Sequence, residues 1–272
     1  MDDYKNIRLK ISYKGTCYHG WQKQLGRNTI QETIETTFQS IFGQNINLVG
    51  SGRTDSGVHA FNQTANFKTD LPVNAFRIGQ ALNSKLPKDI RIKESQEVDF
   101  GFHSRFDAIG KTYIYSIYNS RTANPLIDDY CYKVAYKLDI REMIRAAEQF
   151  KGEHDFSAFT ASGSSAKTTI RNIYDIRLMH HHHLLVLMVT GNGFLYKMVR
   201  NIAGTLIDVG RGRIPADSIS EMISFQDRDA VGHTAKSQGL SLLDVYYDNT
   251  DMNAFLNTMN NEKSLDTIVS LL

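Results

Sequence analysis

Apolar and polar residues recur with two different periods along the first third of this 272-residue chain. Residues 7–13 alternate apolar and polar side chains, which is the period of a half-buried strand. Apolar residues then recur at helical spacing over 30–42, and Thr29 with Glu32 is typical of the N-terminal cap of a helix. Helical spacing returns over 75–86 and stops at a proline. The pattern predicts a strand followed by two helices.

The same order of elements recurs in the second half of the chain. A strand-like alternation covers 113–117, and Asp139 is placed to begin a helix. Two more strands are predicted at 173–178 and 184–190. A long apolar stripe at helical spacing then predicts a helix over 195–209.

The order of strand followed by helix occurs twice along the chain. This repetition predicts an α+β protein of two similar domains. We place the first domain at 1–106 and the second at 107–248. Residues 249–272 form a polar, asparagine-rich tail of unknown role, for which a docked helix and a disordered end are both compatible with the composition. The two halves are too divergent for a sequence repeat to be established.

Composition narrows the class of protein without identifying it. Apolar residues make up 41% of the chain, enough for a sizeable core. Cys17 and Cys131 are too few for a disulfide framework, so we expect a cytoplasmic protein in which each cysteine is a small core residue. The polar start is unlike a signal peptide, and no apolar run approaches a membrane span. The net charge of +2 neither requires nor excludes a nucleic-acid partner.

Four consecutive histidines, His180 to His183, raise the possibility of a metal site. Adjacent residues of a strand point to opposite faces, so four in a row cannot form one compact site. We therefore predict a solvent-exposed hairpin here and no bound metal.

The densest chemical signal is the segment SGRTDSGVHA at 51–60, where Arg53, Asp55 and His59 lie within seven residues. Its glycines allow positive φ angles and a close approach of the backbone to a ligand. Gly, Asp and Ser are also the usual residues of a surface turn, which is the ordinary alternative. An arginine and a carboxylate two residues apart, between strand-like flanks, favour a functional site.

This segment resembles the active-site loop of the TruA family of tRNA pseudouridine synthases. Further segments resemble motifs of the same family in the family's order, from about residue 5 to about residue 247. They are GWQKQ at 20–24, TIQ at 29–31, HSRFDA at 103–108, KTYIY at 111–115, DFSAF at 155–159 and GNGFLYKMVRNIAGTLIDVGRG at 191–212.

The resemblance implies a role for four residues. Asp55 matches the catalytic nucleophile, Arg53 the arginine that assists base flipping, Tyr113 the tyrosine that packs on the target base, and Arg200 the basic residue that pairs with the aspartate. Pattern alone would make Tyr113 a core or rim residue and Arg200 a solvated one. Ser56 departs from the alanine usual beside the aspartate, and we expect no mechanistic consequence.

The resemblance also implies a fold and a reaction. The fold is the pseudouridine synthase fold, with two α+β domains whose antiparallel sheets surround a central active-site cleft. The reaction isomerises uridine to pseudouridine at positions 38, 39 and 40 in the tRNA anticodon stem-loop, without cofactor or metal, by a homodimer. Attack by the aspartate on the sugar, attack on the base and removal of a sugar proton all remain open for its role.

Two other functions are compatible with parts of the sequence. A non-catalytic RNA-binding module could retain the fold, but we would expect it to lack the aspartate or its arginine partner. A small-molecule enzyme with an aspartate nucleophile, such as a hydrolase, would need no wide basic cleft.

Overall fold

The computed structural model describes residues 4–163 and 166–259. The chain divides after Ile109 into two units, and the late segment Ser241–Tyr247 belongs to the first. Each unit has a sheet and helices, which confirms the predicted α+β class. Residues 260–272, the end of the predicted tail, lie outside the described part of the chain.

The first unit is built on a sheet whose strand order is β4-β1-β3-β10, with a short strand β2 beside β3. Strands β1, β3 and β4 pair antiparallel, whereas β10 pairs parallel to β3. The strands are β1 (Lys5–Tyr13), β2 (Val49–Gly50), β3 (His59–Thr69), β4 (Ile90–Val98) and β10 (Leu240–Tyr246).

Two helices, α1 (Ile30–Phe42) and α2 (Ala75–Lys85), supply the rest of the core of this unit. Their apolar faces are buried, and the rings of Phe38 and Phe67 lie 5.1 Å apart where α1 meets β3. The Thr29 side chain accepts a hydrogen bond from the Glu32 backbone, as the sequence predicts. Because both helices are amphipathic, burying one face of each also fixes the loops at their ends.

The second unit contains a sheet of order β5-β9-β8-β7, in which the short strand β6 pairs parallel to β5. The other neighbours pair antiparallel, and β9 is buried along almost its whole length. The strands are β5 (Gly110–Asn119), β6 (Tyr132–Val134), β7 (Gly152–Asp155), β8 (Ile170–His181) and β9 (Leu184–Gly191).

The helices of the second unit are α3 (Ile140–Glu148), α4 (Met198–Gly210), α5 (Ile219–Phe225) and α6 (Asn249–Met259). Asp139 caps α3, as predicted, and accepts hydrogen bonds from two backbone amides. Helix α4 is buried on nearly every side and packs against β5. Helix α6 covers the first part of the predicted tail and buries two methionines, Met252 and Met259.

Two local expectations are wrong. The helix predicted from residue 195 begins only at Met198, because Lys197 adopts a left-handed conformation with φ of 61°. Cys17 is exposed rather than a core residue, since it ends a short 3-10 turn, Gly15–Cys17, of which only the glycine is buried. Cys131 is buried, as predicted.

The four histidines lie where the sequence places them, in the hairpin between β8 and β9. His180 and His181 end β8, and His182 and His183 form the turn, with φ of 51° at His182. All four side chains are exposed. No helix in the described part of the chain is both long and apolar enough to cross a membrane.

Candidate active site

The segment 51–58 is a loop between β2 and β3, and the start of the chain holds it from one side. The backbone amide of Trp21 donates to the carbonyl of Thr54 at 3.1 Å. The amide of Gly57 and the hydroxyl of Ser56 both donate to the carbonyl of Tyr18, at 3.3 and 3.1 Å. These bonds fix the backbone on both sides of Asp55.

Strand β3 and strand β1 hold the same loop from within the sheet. Ser51 donates through its amide to Thr64 at 2.8 Å and through its hydroxyl to Gln63 at 2.6 Å. The hydroxyl of Thr54 pairs with that of Tyr13 at 2.8 Å, and both residues are buried. A loop whose polar groups are bonded to several separate elements has little freedom to change its backbone conformation.

Gly20 shows how closely the neighbouring segment approaches the loop. Its φ is +88°, and a Cβ atom built there would lie 2.4 Å from the carbonyl oxygen of Thr54. It would also come within 3.1 Å of the backbone of Asp55. Only glycine permits both this conformation and this contact.

The two charged residues of the loop differ in exposure. Arg53 is exposed, and its Nε donates to the Oε1 atom of Gln22 at 3.1 Å. Asp55 is half-buried, two residues further on. The loop therefore presents a guanidinium and a carboxylate from one fixed backbone.

His59, the third candidate of this segment, has a structural position. It is 3% exposed at the start of β3, and its Nδ1 accepts a hydrogen bond from the amide of Gly15 at 3.0 Å. This bond attaches the turn after β1 to the end of the loop. The sequence spacing groups His59 with Arg53 and Asp55, but its burial separates it from them.

Tyr113 and Arg200 lie in the second unit. Tyr113, on β5, is buried, and its ring meets that of Phe194 edge-on with centroids 5.2 Å apart. Phe194 belongs to the GNGF segment, so this contact joins two sequence motifs whose proximity the sequence did not reveal.

Arg200 lies in the first turn of α4 and is partly exposed. Its Nε donates to the carbonyl of Ala235 at 2.8 Å, and the amide of Ala235 bonds back to the carbonyl of Arg200 at 3.1 Å. Burial raises the pKa of the nearby Tyr115 hydroxyl, and the Arg200 charge opposes that increase. The bond at Nε thus tethers the guanidinium to a backbone segment outside its own helix.

Among residues 4–163 and 166–259, no three or more His, Cys, Asp or Glu side chains come together in a way that could hold a metal ion. The four candidate residues named by the sequence fall into two sets. Arg53 and Asp55 belong to the loop of the first unit, and Tyr113 and Arg200 belong to β5 and α4 of the second.

Comparison with known proteins gives a consistent result over most of the chain. A family model described as tRNA pseudouridine synthase matches residues 10–107 and 146–248. A protein of Acetivibrio thermocellus named tRNA pseudouridine synthase A is 49% identical over 243 residues, which cover 89% of this chain and all of that protein. A protein of the same name from Caldicellulosiruptor bescii is 46% identical over 243 residues, with the same coverage of both chains. A Clostridium tetani protein named tRNA pseudouridine synthase A 2 is 46% identical over 245 residues, covering 89% of this chain and 99% of its own.

Proposed function

Because this chain belongs to the tRNA pseudouridine synthase family, we propose that its loop 51–58 carries the chemistry, with Asp55 as the catalytic residue. The chain isomerises uridine to pseudouridine in tRNA. In this reaction the bond from ribose C1′ to N1 of uracil breaks, and a bond from C1′ to C5 forms. C5 loses a proton and N1 gains one, so substrate and product have the same formula.

The observation that supports the assignment best is the combination of a fixed loop backbone with an exposed Arg53 and a half-buried Asp55. A uridine in a stem is shielded by stacking and pairing, and extruding it costs roughly a few kcal/mol. An exposed guanidinium can enter the space that the base leaves and bind a phosphate. A carboxylate on a rigid backbone can then meet the extruded nucleotide without reorganising first.

We assign supporting roles to Tyr113 and Arg200. An aromatic ring that stacks on an extruded base contributes roughly 1–3 kcal/mol. The Tyr113 ring is held against Phe194, so it has a defined orientation from which to do so. Arg200 is proposed as the positive partner of the Asp55 carboxylate. Its Nε bond to Ala235 restricts the direction of the guanidinium plane within the second unit.

The finer features of the function rest on the family resemblance. We propose that the reaction takes place at positions 38, 39 and 40 of the anticodon stem-loop. The enzyme is a homodimer that binds one tRNA with both subunits, and it acts in the cytoplasm. The free thiols of Cys17 and Cys131 agree with a reducing compartment. Sedimentation of the purified protein tests this oligomeric state. We expect a dimer, and a single monomeric species would contradict the proposal.

Mapping the product on tRNA tests the position. Unmodified tRNA transcripts are incubated with the protein, and pseudouridine is tagged with a carbodiimide, because the isomerisation leaves the mass unchanged. We expect new tags at 38, 39 or 40 wherever a transcript has uridine there. Transcripts with cytidine at all three positions are the matched control and should gain none. Tags elsewhere in the tRNA would refute the anticodon stem-loop assignment.

A further inference from the structure

Arg53 is held by a side chain from outside its own loop. Its Nε donates to the Oε1 atom of Gln22 at 3.1 Å, and Gln22 directly follows the buried Trp21. An exposed arginine has many rotamers, and a hydrogen bond at Nε restricts the direction of the whole guanidinium plane. Gln22 is therefore in a position to orient Arg53.

A chain of amide hydrogen bonds continues from Gln22 into helix α1. The Nε2 of Gln22 donates to the Oε1 of Gln31 at 2.8 Å, and the backbone amide of Lys23 donates to the same oxygen at 3.0 Å. The Nε2 of Gln31 donates to Oε1 of Glu35 at 3.0 Å and to the carbonyl of Leu48 at 3.1 Å. Gln31 is only 6% exposed, so this chain is anchored at a buried point.

The carboxylate of Glu35 sets the direction of every bond in this chain. An ionised carboxylate only accepts hydrogen bonds, and Glu35 also accepts from the amide of Leu48 at 3.0 Å. Gln31 must therefore turn its NH₂ group to Glu35 and its oxygen to Gln22. Gln22 must in turn direct its NH₂ group to Gln31, which leaves its oxygen facing Arg53.

We propose that Gln22 is a positioning residue which, through Gln31 and Glu35, holds Arg53 in the orientation that Arg53 needs to displace the target uridine. This inference rests on the role proposed above for Arg53. Gln22 acts through the arginine and takes no part in the bond-making steps.

A double-mutant cycle tests the proposal. Single-turnover rates at saturating tRNA and tRNA affinities are measured for Gln22→Leu, with Arg53 intact and with Arg53→Ala. With Arg53 intact, we expect Gln22→Leu to lower the rate about ten-fold, because one hydrogen bond to a charged group is lost. The tRNA affinity should stay within about two-fold of that of the parent protein. In the Arg53→Ala background, Gln22→Leu should change the rate by less than about two-fold, because the residue through which it acts is gone.

Two further variants separate positioning from general damage to the loop. Gln22→Glu keeps an acceptor for Arg53 but loses the Nε2 donor to Gln31, so it should recover only part of the rate that Gln22→Leu loses. Gln24→Ala removes a neighbouring exposed glutamine whose side chain bonds to the carbonyls of His19 and Gln22, and it should leave the rate unchanged. Thermal unfolding confirms that each variant is folded.

The possible contrary results point to different failures. If Arg53→Ala impairs the reaction but Gln22→Leu costs the same factor in both backgrounds, Gln22 does not act through Arg53 and the inference is overturned. A loss confined to tRNA affinity would overturn it too. If Arg53→Ala has full activity, the proposed role of Arg53 fails first, and the inference fails with it.

Discussion

The loop 51–58 and the histidine hairpin at 180–183 both join two strands and both concentrate titratable side chains. They differ in what holds their backbones. Residues as distant as Tyr13, Tyr18 and Trp21 bond to the first loop. The hairpin turn is bonded to Asn119, at the end of the adjacent strand β5, and all four imidazoles are exposed.

We infer from this difference that the anchoring of the backbone, more than the composition, separates the candidate site from a polar turn. Functional groups need a backbone that stays in place while a substrate moves. Loop 51–58 meets this condition because several separate elements bond to it, whereas among these contacts the hairpin turn is bonded to β5 alone and its four imidazoles are exposed.

Among variants that keep Asp55, the largest effect is expected at Arg200. Arg200→Ala should lower kcat/KM about 100-fold, because it removes the partner of the ion pair proposed between Arg200 and Asp55. Arg200→Lys should do less harm, since it keeps the charge but loses the planar fork. Arg177→Ala is the control for lost stability, because Arg177 is held in the same unit by Asp175 and by the carbonyl of Met259. Full activity of Arg200→Ala would refute the pair.

Gly20→Ala tests the anchoring of the loop directly. A Cβ 2.4 Å from the Thr54 carbonyl must shift the loop, so we expect the free energy of unfolding to fall by about 2–4 kcal/mol and the rate by roughly ten-fold. Gly26→Ala is the matched control, since its φ is +68° but no atom lies within 4 Å of the position that a Cβ would take there. It should cost about 1 kcal/mol and leave the rate unchanged. Equal effects at the two glycines would refute the importance of the contact.

The two cysteines should differ in reactivity but not in function. Burial raises the pKa of the Cys131 thiol to about 11, so a thiol reagent at about pH 8 should label only the exposed Cys17 in the folded protein. Cys131→Ser should lower the free energy of unfolding by about 1–2 kcal/mol, because it places a hydroxyl in a buried site.

The double variant Cys17→Ser, Cys131→Ser should keep the parent rate once folded. Loss of pseudouridine formation in a folded, tRNA-binding double variant would make a thiol the nucleophile.

The smallest effect is expected in the hairpin. Replacing His180 to His183 with serine should change neither the rate nor tRNA affinity measurably, because all four side chains are exposed in a turn. A loss of activity comparable to that of Gly20→Ala would show that exposure and anchoring do not separate the two loops.

Local patterns in the sequence predicted the parts of the fold that depend on neighbouring residues. The alternation over 7–13, the caps at Thr29 and Asp139, and the hairpin at 180–183 are all confirmed. Each of these features depends only on residues within one or two turns of a helix, or within one strand or hairpin. The local sequence therefore contains all the information needed to predict it. The concentration of glycine and charged residues likewise indicated loop 51–58 as a candidate functional site.

Features that depend on distant contacts could not be predicted. Strand β10 pairs with β3 from about 180 residues further along the chain, and no local pattern reveals that partner. The left-handed Lys197, which delays the start of α4, has no signal in its residue type. Gln22 lies in the GWQKQ motif, but its bond to Arg53 joins residues 31 positions apart and depends on side-chain directions that no local pattern determines. The roles given to Asp55, Arg53, Tyr113 and Arg200 stay predictions.

Asp55→Asn, with rate and affinity measured on the same unmodified tRNA, tests the central claim most directly. The substitution keeps the size of the side chain and removes its charge, so the single-turnover rate should fall by at least roughly 1,000-fold. The affinity should stay within about three-fold, because it depends on many phosphate contacts elsewhere. Pseudouridine formation above a trace in this variant would contradict the account and remove Asp55 from its catalytic role.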